Sequence, residues 1–364
     1  MKIAILITTM SGGGAERVVA NLSDYLTNAG NDVYIAAIRG LKSQYELSPK
    51  VRITFLSTHQ IDNSNNKVKQ HLNEIRAILQ FYNELKNYDC LISFLTLPLA
   101  LSLLFRNRIP CPLIISERNY PGSYSFFYQA ILKLFCSRAD GAVFQTEAVR
   151  HWYRRYRGKY AVIANAVNEE FYYSSIVKEY PPIIVNVGRF TEQKNQKLLI
   201  MAYAKIREKH LGSRLYLYGD GPLRQELIQL ISHYHLQDCA VVEQFRTDIR
   251  DHLLNAGIFV LSSNYEGMPN ALLEAMALGL ACVATDCDGG GAKVLIRNGE
   301  NGILVEKDNI SAMADALDKL LSDPDCRKQI GQEATTVREI YSYKNIYSKW
   351  VSFIQTVALE KKVP

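Results

Sequence analysis

The stretch KIAILITTMSGGGAER, residues 2–17, indicates the fold class of this 364-residue chain. Its first part, Ile3–Ile7, is apolar at every position, as expected of a strand buried on both faces. Three glycines follow and open a predicted helix around residues 15–29. A buried strand, a glycine-rich turn and a helix form the unit from which doubly wound parallel sheets are built.

The same unit recurs along the chain in two series. The first series predicts strands at Ile3–Ile7, Val33–Ile38, Cys90–Ser93, Leu113–Ser116, Gly141–Phe144 and Ala161–Ile163, with helices around 15–29, 66–86, 98–106, 123–136 and 145–156. The second predicts strands at Ile183–Val187, Leu215–Tyr218, Val241–Val242, Ile258–Leu261, Cys282–Ala284 and Ile303–Val305. Two series predict an α/β protein with two doubly wound, Rossmann-like domains that face each other across a cleft.

The break between the series is expected within residues 168–182, a polar and aromatic stretch that ends in two prolines. We therefore expect domains at residues 1–170 and 171–343. An amphipathic helix over 344–364 is expected to cross back to the first domain. The low-complexity stretch 59–70 is predicted to be a mobile loop.

Composition favours a folded, water-soluble protein, with 48% hydrophobic and 21% charged residues. The seven cysteines are scattered and contain no C-x-x-C pair, which argues for reduced thiols in the cytoplasm and against a disulfide framework or a zinc site. The most apolar stretch, Leu91–Phe105, is too short and too interrupted for a membrane-spanning helix. The N-terminus lacks the features of a signal peptide.

The net charge of +6 is distributed unevenly. Residues 1–175 contain 20 Lys and Arg against 13 Asp and Glu, whereas the remainder contains 22 against 23. This asymmetry predicts an anionic partner for the first half, such as a membrane surface, a lipid phosphate or a nucleic acid. An ordinary mixed surface explains the same excess, and both interpretations remain open.

The glycine loop Gly12–Gly14 is the first candidate site. Glycines let a backbone approach a phosphate or a sugar closely, and the helix N-terminus behind them favours negative charge. The loop is not a dinucleotide fingerprint, because Arg17 stands where the last glycine of that pattern would be. A tight strand–helix turn would use the same glycines.

The segment VGRFTEQKNQ, residues 187–196, follows the first strand of the second series. Arg189 and Lys194 together carry the charge needed to neutralise a diphosphate, Arg through its planar fork and Lys as a point charge. Taken alone, they would be interpreted as two solvated loop cations.

The segment EGMPNALLEA, residues 266–275, combines two acids with a helix start. Pro269 suits the first helical position, where its missing N–H is not needed. Backbone donors at the helix start then form an anion site: Asn270, Ala271 and Leu272. Glu266 and Glu274 would repel a phosphate unless they accept hydrogen bonds from hydroxyls. A nucleotide sugar satisfies both requirements, whereas the simplest alternative is an acid-rich helix start.

In these motifs the chain resembles the retaining glycosyltransferases of family 4, which have the GT-B fold. The pattern Glu266-x7-Glu274, preceded by Gly188-Arg189 and Lys194, carries the resemblance. Further matching segments, in order along the chain, are Gly12–Gly14, Tyr218–Pro222, Cys282–Gly291 and Asn301–Val305. The resemblance covers nearly the whole chain.

The resemblance implies roles for individual residues. Arg189 and Lys194 would bind the donor diphosphate and stabilise the leaving nucleotide, Glu274 would accept from the ribose hydroxyls, and Glu266 would hold the transferred sugar. The remaining implied donor contacts are Gly13, Gly14, Asn270, Ala271 and Leu272. No cofactor or metal is expected, and the two D-x-D sequences, Asp286–Asp288 and Asp323–Asp325, are interpreted as loop residues.

Two segments depart from the family. Many members carry a His at the end of a first-domain strand, and here Arg118 takes its place. Arg118 joins Glu266, Arg189 and Lys194 as a catalytic candidate, and it would contact the reaction centre or an acceptor phosphate. The candidate acceptor residues are Gly12, Arg17, Glu117, Arg118 and Asn119. The base-binding turn, often F-L-G, is Glu243-Gln244-Phe245.

The predicted function is transfer of a hexose or N-acetylhexosamine, with UDP favoured by family frequency, to a saccharide acceptor. The basic and aromatic stretch His151–Tyr160 favours an acceptor on a polyprenyl diphosphate, at the inner face of the cell membrane, in bacterial surface polysaccharide or glycan assembly. A soluble saccharide acceptor remains open, and no nucleic-acid partner is expected. The alternatives are a nucleotide-sugar 2-epimerase of GT-B architecture and a non-catalytic nucleotide-binding module.

Overall fold

The computed structural model describes residues 1–57, 67–172, 175–177, 179–246 and 248–360. The chain divides into two compact units, one formed by Met1–Asn165 with the C-terminal segment from Ile346, and one formed by Ala166–Asn345. The division falls five residues before the predicted boundary at residue 170. Most of the stretch 59–70, predicted to be a mobile loop, lies outside the described residues, as does the end of the predicted C-terminal helix after residue 360.

The first unit contains a parallel sheet of seven strands in the order β3-β2-β1-β4-β5-β6-β7. Its strands are β1 (Lys2–Ile7), β2 (Asp32–Arg39), β3 (Arg52–Ser57), β4 (Cys90–Phe94), β5 (Leu113–Ser116), β6 (Gly141–Phe144) and β7 (Lys159–Val162). Its helices are α1 (Gly14–Asn28), α2 (Lys67–Glu84), α3 (Thr96–Leu104), α4 (Phe126–Phe135) and α5 (Glu147–Trp152), with 3-10 turns at Leu85–Asn87, Arg106–Arg108, Pro121–Ser123 and Cys136–Arg138.

The second unit contains a parallel sheet of six strands in the order β10-β9-β8-β11-β12-β13. Its strands are β8 (Ile183–Val187), β9 (Arg214–Tyr218), β10 (Ala240–Glu243), β11 (Ile258–Leu261), β12 (Ala281–Asp286) and β13 (Ile303–Glu306). Its helices are α6 (Glu169–Tyr172), α7 (Gln196–Ile206), α8 (Arg224–His233), α9 (Ile249–Leu254), α10 (Asn270–Leu278), α11 (Gly291–Leu295), α12 (Ile310–Ser322), α13 (Pro324–Ala334) and α14 (Val337–Ile340). The last helix, α15, spans Tyr343–Glu360.

These two sheets confirm the predicted fold class of two doubly wound α/β domains. Strand β1, for example, pairs in parallel with β2 and β4, so that Ile5 lies between Ile35 and Ile92. All three side chains are fully buried, which is why the strands are apolar at consecutive positions. In each sheet the strand order reverses once, between β1 and β4 and between β8 and β11. Ligands of such sheets bind at the carboxyl ends of the strands on either side of this reversal.

Three local predictions differ from the structure. Strand β3 was not predicted, because it lies at the sheet edge and its burial alternates along Arg52–Ser57. Helix α3 begins two residues before Pro98, so that the proline occupies the third helical position. The N–H groups of the first turn have no acceptor within the helix, so a proline there costs no helical hydrogen bond. Pro269 precedes α10 as its N-cap residue, so the helix begins at Asn270. Among the described helices, none combines the length and apolarity that crossing a membrane requires.

The part of α15 from Ile346 onwards packs against the first sheet. The indole of Trp350 is fully buried and stacks on Phe94, with ring centroids 5.7 Å apart. At Gly141, a side-chain β-carbon would lie 2.8 Å from Val357. Only a glycine in β6 therefore allows this helix to approach the strand so closely.

Candidate functional site

The candidate site of the second unit is built where its strand order reverses. The loop after β8 carries Arg189 and Lys194, and the loop after β11 carries Glu266. Lys194 Nζ lies 2.5 Å from Glu266 Oε1, and both side chains are largely buried. The hydroxyl of Ser263 donates to the same carboxylate oxygen at 2.7 Å. Two residues predicted from separate motifs therefore form one ion pair at the edge where ligands of such sheets bind.

Hydrogen bonds hold the two loops against each other. The N–H of Asn264 donates to the carbonyl of Gln193 at 2.8 Å, and the amide of Gln193 donates to the carbonyl of Tyr265 at 3.1 Å. The hydroxyl of Ser262 donates to the carbonyl of Lys194 at 2.9 Å. Since these bonds fix the backbone on both sides of the ion pair, the lysine and the glutamate are preorganised.

Lys194 is further positioned by an unusual backbone conformation at the next residue. Asn195 is left-handed, with φ of 45°, and its side-chain oxygen accepts from the N–H of Leu198 in the first turn of α7. Asparagine adopts this conformation more readily than most residues. The chain therefore turns sharply into the helix immediately after Lys194.

Arg189 differs from Lys194 in being exposed to solvent. Its backbone lies in a fixed position, because its carbonyl accepts from the side-chain amide of Gln196 at 3.2 Å. Next to it, Phe190 exchanges backbone hydrogen bonds with the turn that follows β9, donating to Asp220 at 2.8 Å and accepting from Leu223 at 3.1 Å. The guanidinium group is thus carried on an ordered loop and is available to an anionic ligand.

Helix α10 begins directly after the Glu266 loop. Its first internal hydrogen bond runs from the N–H of Leu273 to the carbonyl of Pro269 at 3.1 Å. The three predicted amide donors, Asn270, Ala271 and Leu272, therefore occupy the positions at the positive end of the helix dipole. Glu274 lies four residues after Asn270 on the same helix face and is half-buried.

Gly291 allows the strand–turn after β12 to pack on this helix start. A β-carbon at this position would lie 1.8 Å from the carbonyl oxygen of Gly267 and 2.7 Å from Pro269. We expect Gly291→Ala to lower the free energy of unfolding by about 1–3 kcal/mol and to weaken binding of the nucleotide predicted from the sequence, because the 267–269 backbone must move. Gly212→Ala is the matched control, since no heavy atom lies within 4 Å of its β-carbon.

Thermal unfolding and titration calorimetry with UDP measure both effects of Gly291→Ala. An unchanged melting temperature in Gly291→Ala would contradict the packing argument. Gly212→Ala should leave the affinity for UDP unchanged and either preserve or slightly raise the melting temperature, since it removes only freedom of the unfolded chain.

Three aspartates of the two D-x-D sequences accept hydrogen bonds from residues of the second unit. Asp286 ends β12 and accepts from Lys293 at 2.9 Å, while Asp288 accepts from Lys307 at 2.9 Å. Asp323 caps α13 by accepting from the N–H of Cys326 at 2.9 Å, and Asp325 lies within that helix. Asp286 and Asp325 are therefore in regular elements, not in loops as predicted. The absence of a bound metal stays a prediction.

A cavity of about 270 Å³ lies on the face of the second sheet. Ile183 of β8 and the stacked rings of Tyr216 and Tyr218 of β9 line it. Glu243, from the predicted base-binding turn, also lines it. Neither Lys194 nor Glu266 is among its lining residues.

The glycine loop of the first unit lies after β1, at the strand reversal of that sheet. Gly12 has φ of 93°, Gly13 is the N-cap residue of α1, and Gly14 begins the helix. The carboxylate of Glu16 is buried beside Gly13, where a β-carbon would lie 2.3 Å from its Oε2. The hydroxyl of Thr9 donates to Glu16 at 2.9 Å.

Glu16 distinguishes between the two ligands, a phosphate and a sugar, that were predicted for this loop. A carboxylate already occupies the position against the helix N-terminus that a phosphate would take. Repulsion between the two anions disfavours phosphate at Gly13, whereas a sugar hydroxyl can donate to the carboxylate. Of the two ligands predicted for the glycine loop, the structure therefore favours the sugar. Arg17, one residue further along α1, is half-buried.

Glu117 and Arg118 follow β5 and are both buried. The Glu117 carboxylate accepts four hydrogen bonds, from the hydroxyls of Tyr124 and Tyr153 at 2.6 Å each and from the N–H groups of Arg118 and Asn119 at 3.0 and 3.2 Å. Burial raises the pKa of Glu117, and these four donors limit the rise. With its carboxylate fully enclosed, Glu117 holds the backbone of the next two residues. Its contact with the acceptor stays a prediction.

The guanidinium group of Arg118 is buried and only partly hydrogen-bonded. One terminal nitrogen donates to Asn165 Oδ1, which also accepts from Gln145 Nε2 at 2.9 Å. Its Nε and other terminal nitrogen are buried, and no described residue accepts from them. Burial lowers the pKa of Arg118 to about 10, so the guanidinium group is still charged at neutral pH. A buried cation with two unused donors is costly unless a ligand supplies acceptors.

Several residues of these sites were not predicted. Glu16 lies within the recognised stretch 2–17, where its charge near the helix start was the signal available. Ser263 lies three residues before the recognised segment 266–275, where its hydroxyl close to the end of β11 was the signal. Asn165, Gln145 and Trp350, whose ring centroid lies 6.0 Å from the Arg118 guanidinium carbon, come from distant parts of the sequence. Of the predicted acceptor set, the structure brings Glu117, Arg118 and Asn119 together after β5 and Gly12 and Arg17 around the start of α1.

Two family models match consecutive parts of the chain. The model for Glycosyltransferase Family 4 matches residues 12–171, and the model for glycosyl transferases group 1 matches residues 168–337. Together they cover residues 12–337, which include most of both units but neither β1 nor α15.

Individual proteins are similar over almost the full chain. A Campylobacter jejuni alpha-1,4-N-acetyl-D-galactosaminyltransferase is 26% identical over 98% of this chain and 99% of its own, and is named for an acceptor in which GalNAc-alpha-(1->4)-GalNAc-alpha-(1->3)-diNAcBac is linked to undecaprenol diphosphate. Two solved structures share the fold. Sucrose-phosphate synthase from Thermosynechococcus elongatus has a TM-score of 0.83 at 19% identity, covering 98% of this chain and 99% of that one. Anabaena HepE in complex with UDP-glucose has a TM-score of 0.78 at 17% identity, covering 98% and 100%.

Proposed function

This chain belongs to glycosyltransferase family 4, with the GT-B fold, and we propose that it transfers a hexose or N-acetylhexosamine from a UDP-sugar to a saccharide on a polyprenyl diphosphate. The transfer retains the anomeric configuration, forms an α-linkage and serves bacterial surface polysaccharide or glycan assembly. One observation carries the donor half of the proposal: Lys194 and Glu266 meet at the strand reversal of the second sheet, beside the N-terminus of α10.

The contacts of Glu266 suggest how one site takes both phosphate and sugar. Lys194 and Ser263 both donate to Oε1, so Oε2 is the oxygen that would accept a sugar hydroxyl. The ion pair offsets the negative charge of Glu266, which removes the repulsion expected between a carboxylate and a diphosphate. Lys194 would then be shared between the carboxylate and the phosphate.

The cations of the second unit are proposed to act on the leaving group. Negative charge grows on the diphosphate as the glycosidic bond breaks, so Arg189 and Lys194 stabilise the transition state more than the ground state. The positive end of α10 adds to this effect. Glu274 is proposed to accept from the ribose hydroxyls. No protein nucleophile is assigned, since the family resemblance implies front-face attack by the acceptor.

The first unit is proposed to bind the acceptor. Arg118 has two unused donors at the carboxyl edge of its sheet and would contact a phosphate oxygen of the acceptor or the reaction centre. Glu16 would accept from an acceptor hydroxyl at the glycine loop. The polyprenyl diphosphate is supported by the acceptor named for the Campylobacter jejuni relative and by the basic excess of residues 1–175. We propose that the protein acts at the inner face of the cell membrane.

A panel of UDP- and GDP-sugars, offered in the presence of EDTA, tests this proposal against its alternatives. We expect slow hydrolysis of one UDP-sugar without acceptor and no loss of rate on chelation, because side-chain cations replace a metal at the diphosphate. Isomerised donor would instead establish a 2-epimerase, and binding without any product would establish a nucleotide-binding module. A rate that requires added Mg²⁺ or Mn²⁺ would contradict metal independence.

A further inference from the structure

Helix α4 of the first unit exposes apolar side chains to solvent. Phe126, Phe127 and Leu134 are 87%, 67% and 60% exposed, whereas Ile131 and Leu132 of the same helix are buried. Positions 126, 130 and 134 are four residues apart and share one helix face. We call Phe126, Phe127, Ala130 and Leu134 the α4 stripe. Single exposed apolar residues are ordinary, but three large ones on a ten-residue helix indicate a binding surface.

Cationic side chains adjoin the α4 stripe. Lys133 and Arg138 are exposed beside it. Lys133 Nζ lies 4.7 Å from the ring centroid of Trp152, and the hydroxyl of Ser137 donates to the carbonyl of Arg155 at 2.8 Å. These contacts place the segment after α5 next to the end of α4. Its exposed cations, which we call the basic rim, are Arg154, Arg155 and Arg157.

Acidic residues do little to offset this charge. Residues 126–160 contain seven Lys and Arg and two Asp and Glu. One of the acids, Asp140, is paired with Arg106 at 2.6 Å. The other is Glu147, in the first turn of α5. The surface therefore combines exposed aromatic rings with a positive potential.

We propose that the α4 stripe and the basic rim dock this protein on an anionic lipid bilayer. The rings of Phe126 and Phe127 enter the boundary between headgroups and acyl chains, and the arginines of the basic rim bind lipid phosphates. Aromatic and aliphatic side chains flanked by cations are the pattern of interfacial anchors. This proposal deepens the proposed function, on which it rests for the place of the lipid-linked acceptor.

Charge complementarity favours a bilayer over a second copy of this chain. Two copies that met through this face would bring two basic rims together, and like charges facing each other oppose association. An anionic bilayer accommodates the apolar stripe and the cations at the same time.

Vesicle flotation of the full-length protein, without donor or acceptor, tests the proposal. We expect binding to phosphatidylcholine vesicles that contain phosphatidylglycerol and little binding to phosphatidylcholine alone. Phe126→Ser/Phe127→Ser should lower the partition coefficient at least about tenfold, because the buried apolar area is lost. Arg154→Glu/Arg157→Glu should lower it by a similar factor and remove its dependence on salt.

Two variants of the second unit serve as matched controls. Leu211→Ser removes an apolar side chain that is 74% exposed, and Lys319→Glu/Lys328→Glu reverses two exposed charges. Both should float like the wild type. Equal flotation of Phe126→Ser/Phe127→Ser, or equal binding of the wild type to neutral vesicles, would overturn the proposal. The proposal would also be overturned if the wild type were a dimer in solution and Phe126→Ser/Phe127→Ser were a monomer. Failure of sugar transfer alone would count against the proposed function and leave the vesicle result intact.

Discussion

Lys194→Ala is expected to lower kcat by about 100- to 1,000-fold, equivalent to about 2–4 kcal/mol of transition-state stabilisation. The physical reason is that Lys194 carries a fixed positive charge at the strand reversal, where the diphosphate of the proposed donor would gain negative charge as it leaves. Since the interaction strengthens as the bond breaks, the KM for the donor should change less than kcat. Initial rates over a range of donor concentrations separate the two.

Lys197→Ala is the control for Lys194→Ala. Lys197 is three residues further along the same segment, but it pairs at the surface with Glu192 at 3.1 Å and with Glu226 at 2.8 Å. Its removal should leave kcat close to the wild-type value. Because Lys194→Ala leaves Glu266 buried beside Ser263 alone, circular dichroism should confirm that the variant is folded at the assay temperature. Wild-type turnover by folded Lys194→Ala would contradict the role assigned to the lysine.

Arg118→Met is expected to stabilise the protein and to impair its reaction with the acceptor. Methionine fills a similar volume without a buried charge, and Asn165 keeps its hydrogen bond from Gln145. Replacing a poorly paired buried ion with an apolar side chain should raise the free energy of unfolding by about 1–3 kcal/mol. The kcat/KM for the acceptor should fall at least about tenfold if the free donors of Arg118 bind a phosphate.

Glu117→Ala should act in the opposite direction on stability. It removes the acceptor of two tyrosine hydroxyls and two backbone N–H groups in the core, which should cost about 3–5 kcal/mol. Denaturant titration measures both variants, and acceptor kinetics separates their functional effects. If Arg118→Met is less stable than the wild type and has normal acceptor kinetics, Arg118 stabilises the fold and does not bind the acceptor.

The fold was predictable because it depends on local patterns. Runs such as Ile3–Ile7 and Ile258–Leu261 are apolar at successive positions, and a parallel sheet covered on both sides is the structure that buries them. Strand β3 was missed because an edge strand carries only an alternating pattern, which residues 52–57 show weakly among charged and polar neighbours. The predicted first residues of α3 and α10, Pro98 and Pro269, differ from the observed ones by two residues and by one residue. Proline is tolerated at several positions around a helix start, so its presence does not identify the first residue.

The residues of the proposed donor site could be named from the sequence, but the contacts between them could not. Arg189, Lys194, Glu266 and Glu274 were recognisable from spacing and family resemblance. The ion pair between Lys194 and Glu266 joins residues 72 positions apart. It depends on β8 lying next to β11, and strand order does not follow from the pattern of a single strand.

The first unit was less predictable because its polar network depends on tertiary packing. The environment of Arg118 combines Asn165, Gln145 and the indole of Trp350, which come from two strand ends and from the C-terminal helix. Glu16 was visible in the glycine motif, yet the contact of its carboxylate with Gly13 is visible only in the structure. Of the phosphate and the sugar that were both predicted for the glycine loop, Glu16 favours the sugar, and Arg118 adds a separate buried cation.

Sugar transfer to a lipid-linked acceptor is the central claim, and the mass of the acceptor tests it most directly. Purified protein would be incubated in EDTA with the UDP-sugar that it hydrolyses and with a synthetic prenyl-diphosphate saccharide. Mass spectrometry should show an acceptor heavier by one sugar residue, and the anomeric carbon–proton coupling in the product should be that of an α-linkage. An unchanged acceptor together with an isomerised or intact donor would contradict the account.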